Sequence, residues 1–157
     1  MYLIWKYIFK RDFSKRALLN LKILKWFRDN NVIFMAKLWR RLIYYRYNID
    51  VDVNAKIGSN LKIPHPTGIV IGPDAIIGNN CIIAQGVTIG GSFKNTKKQV
   101  VGDNTILGAG SKILGNVTIG NNCIIGANAV ITKNIPSNKV AVGYNKIIAK
   151  ESNNYIT

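Results

Sequence analysis

At 157 residues, with 22 Lys and Arg against 7 Asp and Glu and a formal net charge of +15, the chain has room for one core and a short appendage. The positive field favours polyanionic partners such as anionic lipid or phosphorylated small molecules; nucleic acid is set aside, because no helix-turn-helix, zinc or RNA-binding signature accompanies the charge. Met1–Phe9 is apolar but carries Lys6 and lacks a small-residue cleavage site, and no uncharged apolar run reaches the ~18 residues that span a bilayer, so a cytoplasmic protein is expected.

Residues 1–50 read as a basic amphipathic helical segment, with twelve Lys and Arg, three Asp and a net charge of +9. Ser14 is placed to cap a helix running from Arg16 through Phe27 and stopping near Asp29-Asn30-Asn31. A second helix is expected from Val32 to about Tyr47. It would carry Phe34, Met35, Leu38, Trp39, Leu42 and Ile43 on one broad face and Lys37, Arg40, Arg41 and Arg46 on the other. Such helices can pack on the end of the following domain and on neighbouring subunits. They can also rest on an anionic membrane surface, with Trp and Tyr at the interface and Lys and Arg on headgroups, which would put the protein at the inner face of the cell membrane.

From about residue 51 the pattern changes. An aliphatic residue returns every sixth position, usually followed by Gly: Ile71-Gly72, Ile77-Gly78, Ile83-Ala84 and Ile89-Gly90, then Val101-Gly102, Leu107-Gly108, Ile113-Leu114, Ile119-Gly120 and Ile125-Gly126. Four residues after each stands a small or β-branched residue, among them Ala75, Cys81, Val87, Thr105, Ser111, Val117, Cys123 and Ala129. A fixed period this short describes units that only a stacked neighbour can bury. It predicts a mainly β protein: a parallel β-helix over 51–148 whose coils are three hexads, stacked at roughly 4.8 Å, with 149–157 as a tail. The aliphatic and the small residue point inward, the Gly is expected at a tight corner with positive φ, and Asn79-Asn80, Gly115-Asn116 and Asn121-Asn122 suit turns. Barrels and sandwiches share the composition but not the constant phase.

Cys81 and Cys123 both take the inward small position. If the segment 91–100 holds one looped-out hexad, they share a face two coils apart, about 10 Å at the strand spacing and beyond disulfide reach; otherwise they sit on different faces. Either way they are expected to be core thiols.

The ladder breaks twice. Ile63 to Ile71 takes eight residues, through Pro64-His65-Pro66-Thr67-Gly68-Ile69-Val70, and Ile89 to Val101 takes twelve, through Gly90 to Val100. Stacking gains nothing from such interruptions, so function is expected there. His65 is the only histidine. Around it, His65-Pro66-Thr67-Gly68-Ile69-Val70-Ile71-Gly72 resembles the motif of the hexapeptide-repeat acyltransferases, in particular their serine acetyltransferase-like branch. The likeness continues through Gly86-Val87-Thr88-Ile89-Gly90-Gly91, through Gly108 to Asn116 and through Ile125 to Val130.

That resemblance implies a left-handed β-helix, a homotrimer, and transfer of acetyl from acetyl-CoA to a hydroxyl without a metal. It makes His65 the general base, and the chemistry agrees, since imidazole titrates near neutral pH and a well-placed base contributes about 10² to 10⁴ in rate. Asp12 is the candidate acid for orienting the ring, with Asp29 and Asp50 as alternatives. Acetyl-CoA would lie between subunits against Gly91, Ala109 and Ala127, with Lys112, Lys133 and Lys146 on its phosphates.

Against the serine enzymes, Pro64 replaces the Asp before the histidine, and Lys97-Lys98-Gln99-Val100 replaces Arg-His-Pro-Lys. Those groups hold the amino and carboxyl ends of the substrate, so their loss argues for a different acceptor. The short acetyltransferases of exopolysaccharide and capsule clusters, of the colanic-acid type, share the length and basic N-terminus. The acceptor expected on that likeness is a sugar hydroxyl, on a free or lipid-linked saccharide, with serine as the alternative. A non-enzymatic scaffold or polyanion binder would leave the His65 motif without a purpose. A γ-type carbonic anhydrase needs three zinc-binding histidines and is excluded by the count.

Overall fold

The computed structural model describes residues 13–91 and 98–149. Two helices come first, α1 (Phe13–Asp29) and α2 (Ile33–Tyr47). The strands follow as β1 (Ile49–Val51), β2 (Lys56–Ile57), β3 (Ile69–Ile71), β4 (Ala75–Ile77), β5 (Ile82–Ile83), β6 (Thr88–Gly90) and β7 (Gln99–Val101). Then come β8 (Ile106–Leu107), β9 (Lys112–Leu114), β10 (Val117–Ile119), β11 (Ile124–Ile125), β12 (Val130–Ile131), β13 (Lys139–Val142) and β14 (Lys146–Ala149). They form three sheets, β1-β3-β6-β9-β12, β2-β4-β7-β10 and β5-β8-β11-β13-β14, parallel throughout except for the β13–β14 pair. These are the three sides of the expected left-handed β-helix, about four turns long.

The inward positions are those the period assigns. Ile71, Ile77, Ile83, Ile89, Val101, Leu107, Ile113, Ile119, Ile125 and Ile131 are all buried, as are their small partners from Ala75 to Ala129. Each fully buried Ile contributes about 1.5–3 kcal/mol relative to exposure, so the column of aliphatics is the stabilising element of the prism. Cys81, Thr105 and Cys123 fall in one column, since Ile82 pairs with Ile106 and Ile106 with Ile124. The two thiols are therefore on the same face, free and buried, with Thr105 between them.

Register locates the interruptions. A regular coil of three hexads pairs each residue with the one eighteen positions on, as Val70 pairs with Thr88. Lys56↔Ile76 and Lys62↔Ile82 exceed that interval by two positions. The two extra residues thus lie between Lys62 and Ile69, at the His65 corner. The pairing of Ile76 with Val100 exceeds it by six, so one whole hexad is looped out between β6 and β7. A third irregularity has no counterpart in the sequence expectations. Ile135 bridges to Ile119 across an interval two positions short, so the chain drops two residues after β12.

The glycines after the aliphatics do not serve as expected. Among the described residues, positive φ falls instead at nine asparagines, including Asn60, Asn80, Asn104, Asn122 and Asn138, and at five other glycines, including Gly68. The asparagines stack at one corner, with Asn60 Nδ2 donating to Asn80 Oδ1 at 3.0 Å, Asn80 to Asn104 at 3.2 Å and Asn122 to Asn138 at 3.1 Å. What Gly78, Gly102, Gly108 and Gly120 supply is close approach: a Cβ at any of them would come within 2.8 Å of the next coil.

The helices cover the first coil. Ser14 lies within α1, where its hydroxyl donates to the Ile63 carbonyl, while Lys25 reaches Ile57 O and Arg28 reaches Ala55 O. The broad apolar face expected on α2 is split. Ala36, Ile43 and Tyr47 are buried, and Trp39 is half-buried against Phe27 at 5.9 Å, but Phe34, Leu38 and Leu42 are exposed. A helix offers only part of its circumference to one neighbour, and α1 with β1 takes the Ala36–Ile43–Tyr47 side. Asn48 closes α2 in the left-handed region, its N–H donating to the Tyr44 carbonyl at 2.8 Å.

Candidate functional site

His65 is exposed on the corner that the two extra residues create. Pro66 beside it is buried, and the Thr67 N–H donates back to the His65 carbonyl at 2.9 Å, which folds the corner tightly. Gly68, at φ +65°, then gives its N–H to the Asn48 carbonyl, and the Thr67 carbonyl accepts from Gly86 at 3.0 Å. The corner is thereby tied to the coils on both sides, while Ser14 holds Ile63 just before it. Among the described residues no hydrogen bond or ion pair engages the imidazole. A ring on a fixed backbone with its nitrogens accessible is what proton transfer to an incoming substrate requires.

Of the acids, Asp12 lies outside the described residues. Asp29 is bound by Arg28 at 2.7 Å, at the opposite end of α1 from Ser14, roughly 22 Å along a helix rising 1.5 Å per residue. Asp50 is in the coil next to the corner, in register with Val70, five residues after His65. Arg40 directs Nε to Asp50 Oδ1 and Nη1 to Asp52 Oδ2, both at 2.8 Å. This Arg40–Asp50–Asp52 cluster is absent from the sequence expectations; its signal was the paired Asp50-x-Asp52 at the start of the ladder. It lines an open cleft of about 580 Å³ between α2 and β1, together with Lys37, Arg41 and Tyr45, and His65 is not part of that lining.

The expected cofactor residues separate into two groups. Ala109 and Ala127 fall at one corner of adjoining coils, where Asn128 N donates to the Ala109 carbonyl, and Ala127 is exposed. Gly91 is exposed where the six-residue excursion leaves β6. Lys133 and Lys146 are exposed and are brought near each other, because Thr132 and Asn145 exchange two hydrogen bonds of 2.8 Å. Small side chains with accessible backbone and two cations are compatible with a pantetheine arm and phosphates. Lys112 does not join them. Its Nζ is held on the coil wall by the Gly86 carbonyl at 2.7 Å and Thr88 Oγ1 at 3.2 Å. In the segment expected to distinguish the acceptor, Lys97 lies outside the described residues and Lys98 is exposed. Gln99 is wholly buried, its amide donating to Gly115 O at 2.6 Å. Gln99 is a core residue, so its difference from the serine enzymes says little about substrate.

Residues 100–133 match the model of the bacterial transferase hexapeptide (six repeats). The chain is 42% identical over 120 residues to the chloroplastic serine acetyltransferase 1 of Arabidopsis thaliana, covering 75% of this chain and 38% of that protein. It is 42% identical over 118 residues to a serine acetyltransferase of Staphylococcus epidermidis, covering 74% and 55%. Among solved structures, the Neisseria gonorrhoeae serine acetyltransferase superposes with a TM-score of 0.82 at 31% identity, covering 92% of this chain and 62% of that one. A serine acetyltransferase in complex with CoA gives 0.77 at 32% identity, covering 84% and 55%. The chain thus spans about half the length of most of these relatives. They correct two expectations: the likeness lies with the serine acetyltransferases rather than with exopolysaccharide enzymes, and the sugar hydroxyl loses its support as acceptor. Pro64 and the 97–100 segment had carried that reading; of these Gln99 is turned inward, Pro64 and Lys98 are exposed, and the identity to the serine enzymes outweighs them. By its ladder and these matches, the chain is a hexapeptide-repeat β-helix similar to the acyltransferases of that superfamily.

Proposed function

We propose that the protein transfers the acetyl group of acetyl-CoA to the hydroxyl of serine, as a homotrimer with acetyl-CoA in the groove between subunits. The observation that carries this is the 42% identity to serine acetyltransferases across three-quarters of the chain. The exposed His65 at the first ladder break supports it, standing where a base can meet a substrate hydroxyl. In the reaction His65 takes the hydroxyl proton as the oxygen attacks the thioester carbonyl. The carbon–sulfur bond then breaks, and the imidazolium returns the proton to the departing thiolate, leaving O-acetylserine and free CoA. Asp50 lies in the adjoining coil but is held by Arg40 in a cleft that His65 does not line, so no described acid is assigned to orienting the ring. Gly91, Ala109 and Ala127 leave backbone accessible to the pantetheine arm, and Lys133 and Lys146 supply charge for the phosphates.

Thiol titration of CoA released from acetyl-CoA tests the reading. L-serine should support turnover well above that of monosaccharides, and His65→Ala should lose about 10² to 10⁴ of it with an unchanged circular dichroism spectrum. Turnover on sugars but not on L-serine would overturn the acceptor. Full activity in the His65 variant would overturn the mechanism.

A further inference from the structure

The outer side of the two helices is used neither by the coils nor by the proposed reaction. On α2, Phe34, Leu38, Leu42 and Tyr45 follow one another at helical spacing and form a single stripe. Phe34 is 78% exposed and Tyr45 77%. The stripe is no surplus of the core, because Ala36, Ile43 and Tyr47 already fill the inward side. On α1, Leu19 and Trp26 add two large apolar side chains that are more than half exposed.

Lys37 and Arg41 stand beside the stripe one turn apart and open into the cleft that also holds Tyr45. The acids nearby are already engaged: Arg40 holds Asp50 and Asp52, and Arg28 holds Asp29. Among the described residues no acid pairs with Lys37 or Arg41.

We propose that this face docks on an anionic lipid surface. Phe34, Leu38, Leu42 and Tyr45 would enter the boundary between headgroups and acyl chains, with Lys37 and Arg41 on lipid phosphates. A second copy of the chain fits less well. A two-fold contact through the stripe would set Lys37 and Arg41 against the same residues of the other copy, and the acids of the cleft, Asp50 and Asp52, are already held by Arg40. An uncharged stripe would suit any apolar partner; the cations select an anionic one. The proposal does not depend on the identity of the acetyl acceptor.

Flotation of the purified full-length protein tests it, on vesicles of phosphatidylcholine alone and of phosphatidylcholine mixed with phosphatidylglycerol. The protein should float with the mixed vesicles, stay behind with pure phosphatidylcholine and be released by high salt. Lys37→Glu/Arg41→Glu, both on the surface, should weaken binding by at least about thirtyfold while keeping the circular dichroism spectrum. Phe34→Ser/Tyr45→Ser should lose binding at low salt. Lys98→Glu/Lys139→Glu makes the same charge change on the coils and should bind like the unaltered protein. Equal loss in that control would reduce the effect to bulk charge and overturn the assignment, as would absence of flotation with the mixed vesicles. A lower mass by light scattering in Phe34→Ser/Tyr45→Ser, without flotation of the unaltered protein, would give the stripe to a second copy instead.

Discussion

Replacing Gly108 and Gly90 separately by Ala makes one chemical change in two settings. Both glycines follow a ladder aliphatic, Leu107 and Ile89. A Cβ on Gly108 would lie 2.7 Å from Ala127 N, 2.7 Å from the Ile125 carbonyl oxygen and 2.8 Å from Gly126 C, whereas on Gly90 it would meet nothing within 4 Å. Ordinary contact distances begin at about 3.5 Å, so Gly108→Ala requires the next coil to withdraw by about 0.8 Å. That coil is held by the hydrogen bond from Gly108 N to Ile125 O at 2.7 Å and by the β8–β11 pairing, and no flexible side chain is available to yield. Overpacking of this kind costs about 1–3 kcal/mol, while restricting the unfolded chain returns about 0.4–1 kcal/mol at either site. Gly108→Ala should therefore destabilise by about 1–2 kcal/mol and Gly90→Ala stabilise by about 0.4–1 kcal/mol. Urea unfolding at one fixed protein concentration, followed by circular dichroism, should separate the midpoints by roughly 1 M at a slope of about 2 kcal/mol/M. Coincident midpoints, or a more stable Gly108 variant, would refute the account of these glycines as spacers between coils.

Ile113→Ala should cost about 3–5 kcal/mol, because Ile113 is fully buried between Ile89 and Ile131 in fixed register and the coils cannot collapse into the gap. Ile106→Ala, half-exposed on the same coil, should cost far less by the same urea measurement. Lys112→Met should lower stability by about 1.5 kcal/mol through loss of its two hydrogen bonds to the coil wall. Titration with acetyl-CoA should show its affinity unchanged; a large loss would return Lys112 to the phosphate site. Burial pushes the Cys81 thiol up, with a backbone hydrogen bond from Thr105 opposing and the charge of Asp103 adding to the rise. The folded state therefore holds that proton longer than the unfolded state does. The resulting stability is complete below the ordinary thiol value and is lost as pH climbs through the raised folded one. Melting temperature should fall less steeply over that alkaline range in Cys81→Ala, and a parallel decline in both proteins would refute the assignment.

The architecture was legible because inward positions of a stacked coil admit few residue types, and the aliphatic phase from Ile71 to Ile131 displays them directly. The His65 corner was legible for the opposite reason, since two surplus residues have no place in that phase. The dropped pair after β12 escaped because Ile135, four residues after Ile131, reads as the end of the ladder until register with Ile119 shows it to be a shortened step. The role of the glycines was misjudged because close approach is a relation between coils, a full turn of the prism apart in the chain, and leaves no local mark. On α2 hydropathy showed which residues are apolar but could not show which part of that arc faces β1. The acceptor was misread from Pro64 and the 97–100 segment, in which Gln99, a polar residue in a loop-like stretch, is a buried rung of the prism.

A solenoid of identical coils is in principle a polymer, since the last coil presents the same open backbone groups that each earlier coil used to recruit its successor. Here β14 turns back and runs antiparallel along β13, with Lys139 opposite Ala149 and Val142 opposite Lys146. On that side the edge offered outward has the wrong polarity to continue a parallel lattice. One reversed strand thus closes one of the three sides to a further parallel rung, and removes there a template on which molecules could join end to end into fibres.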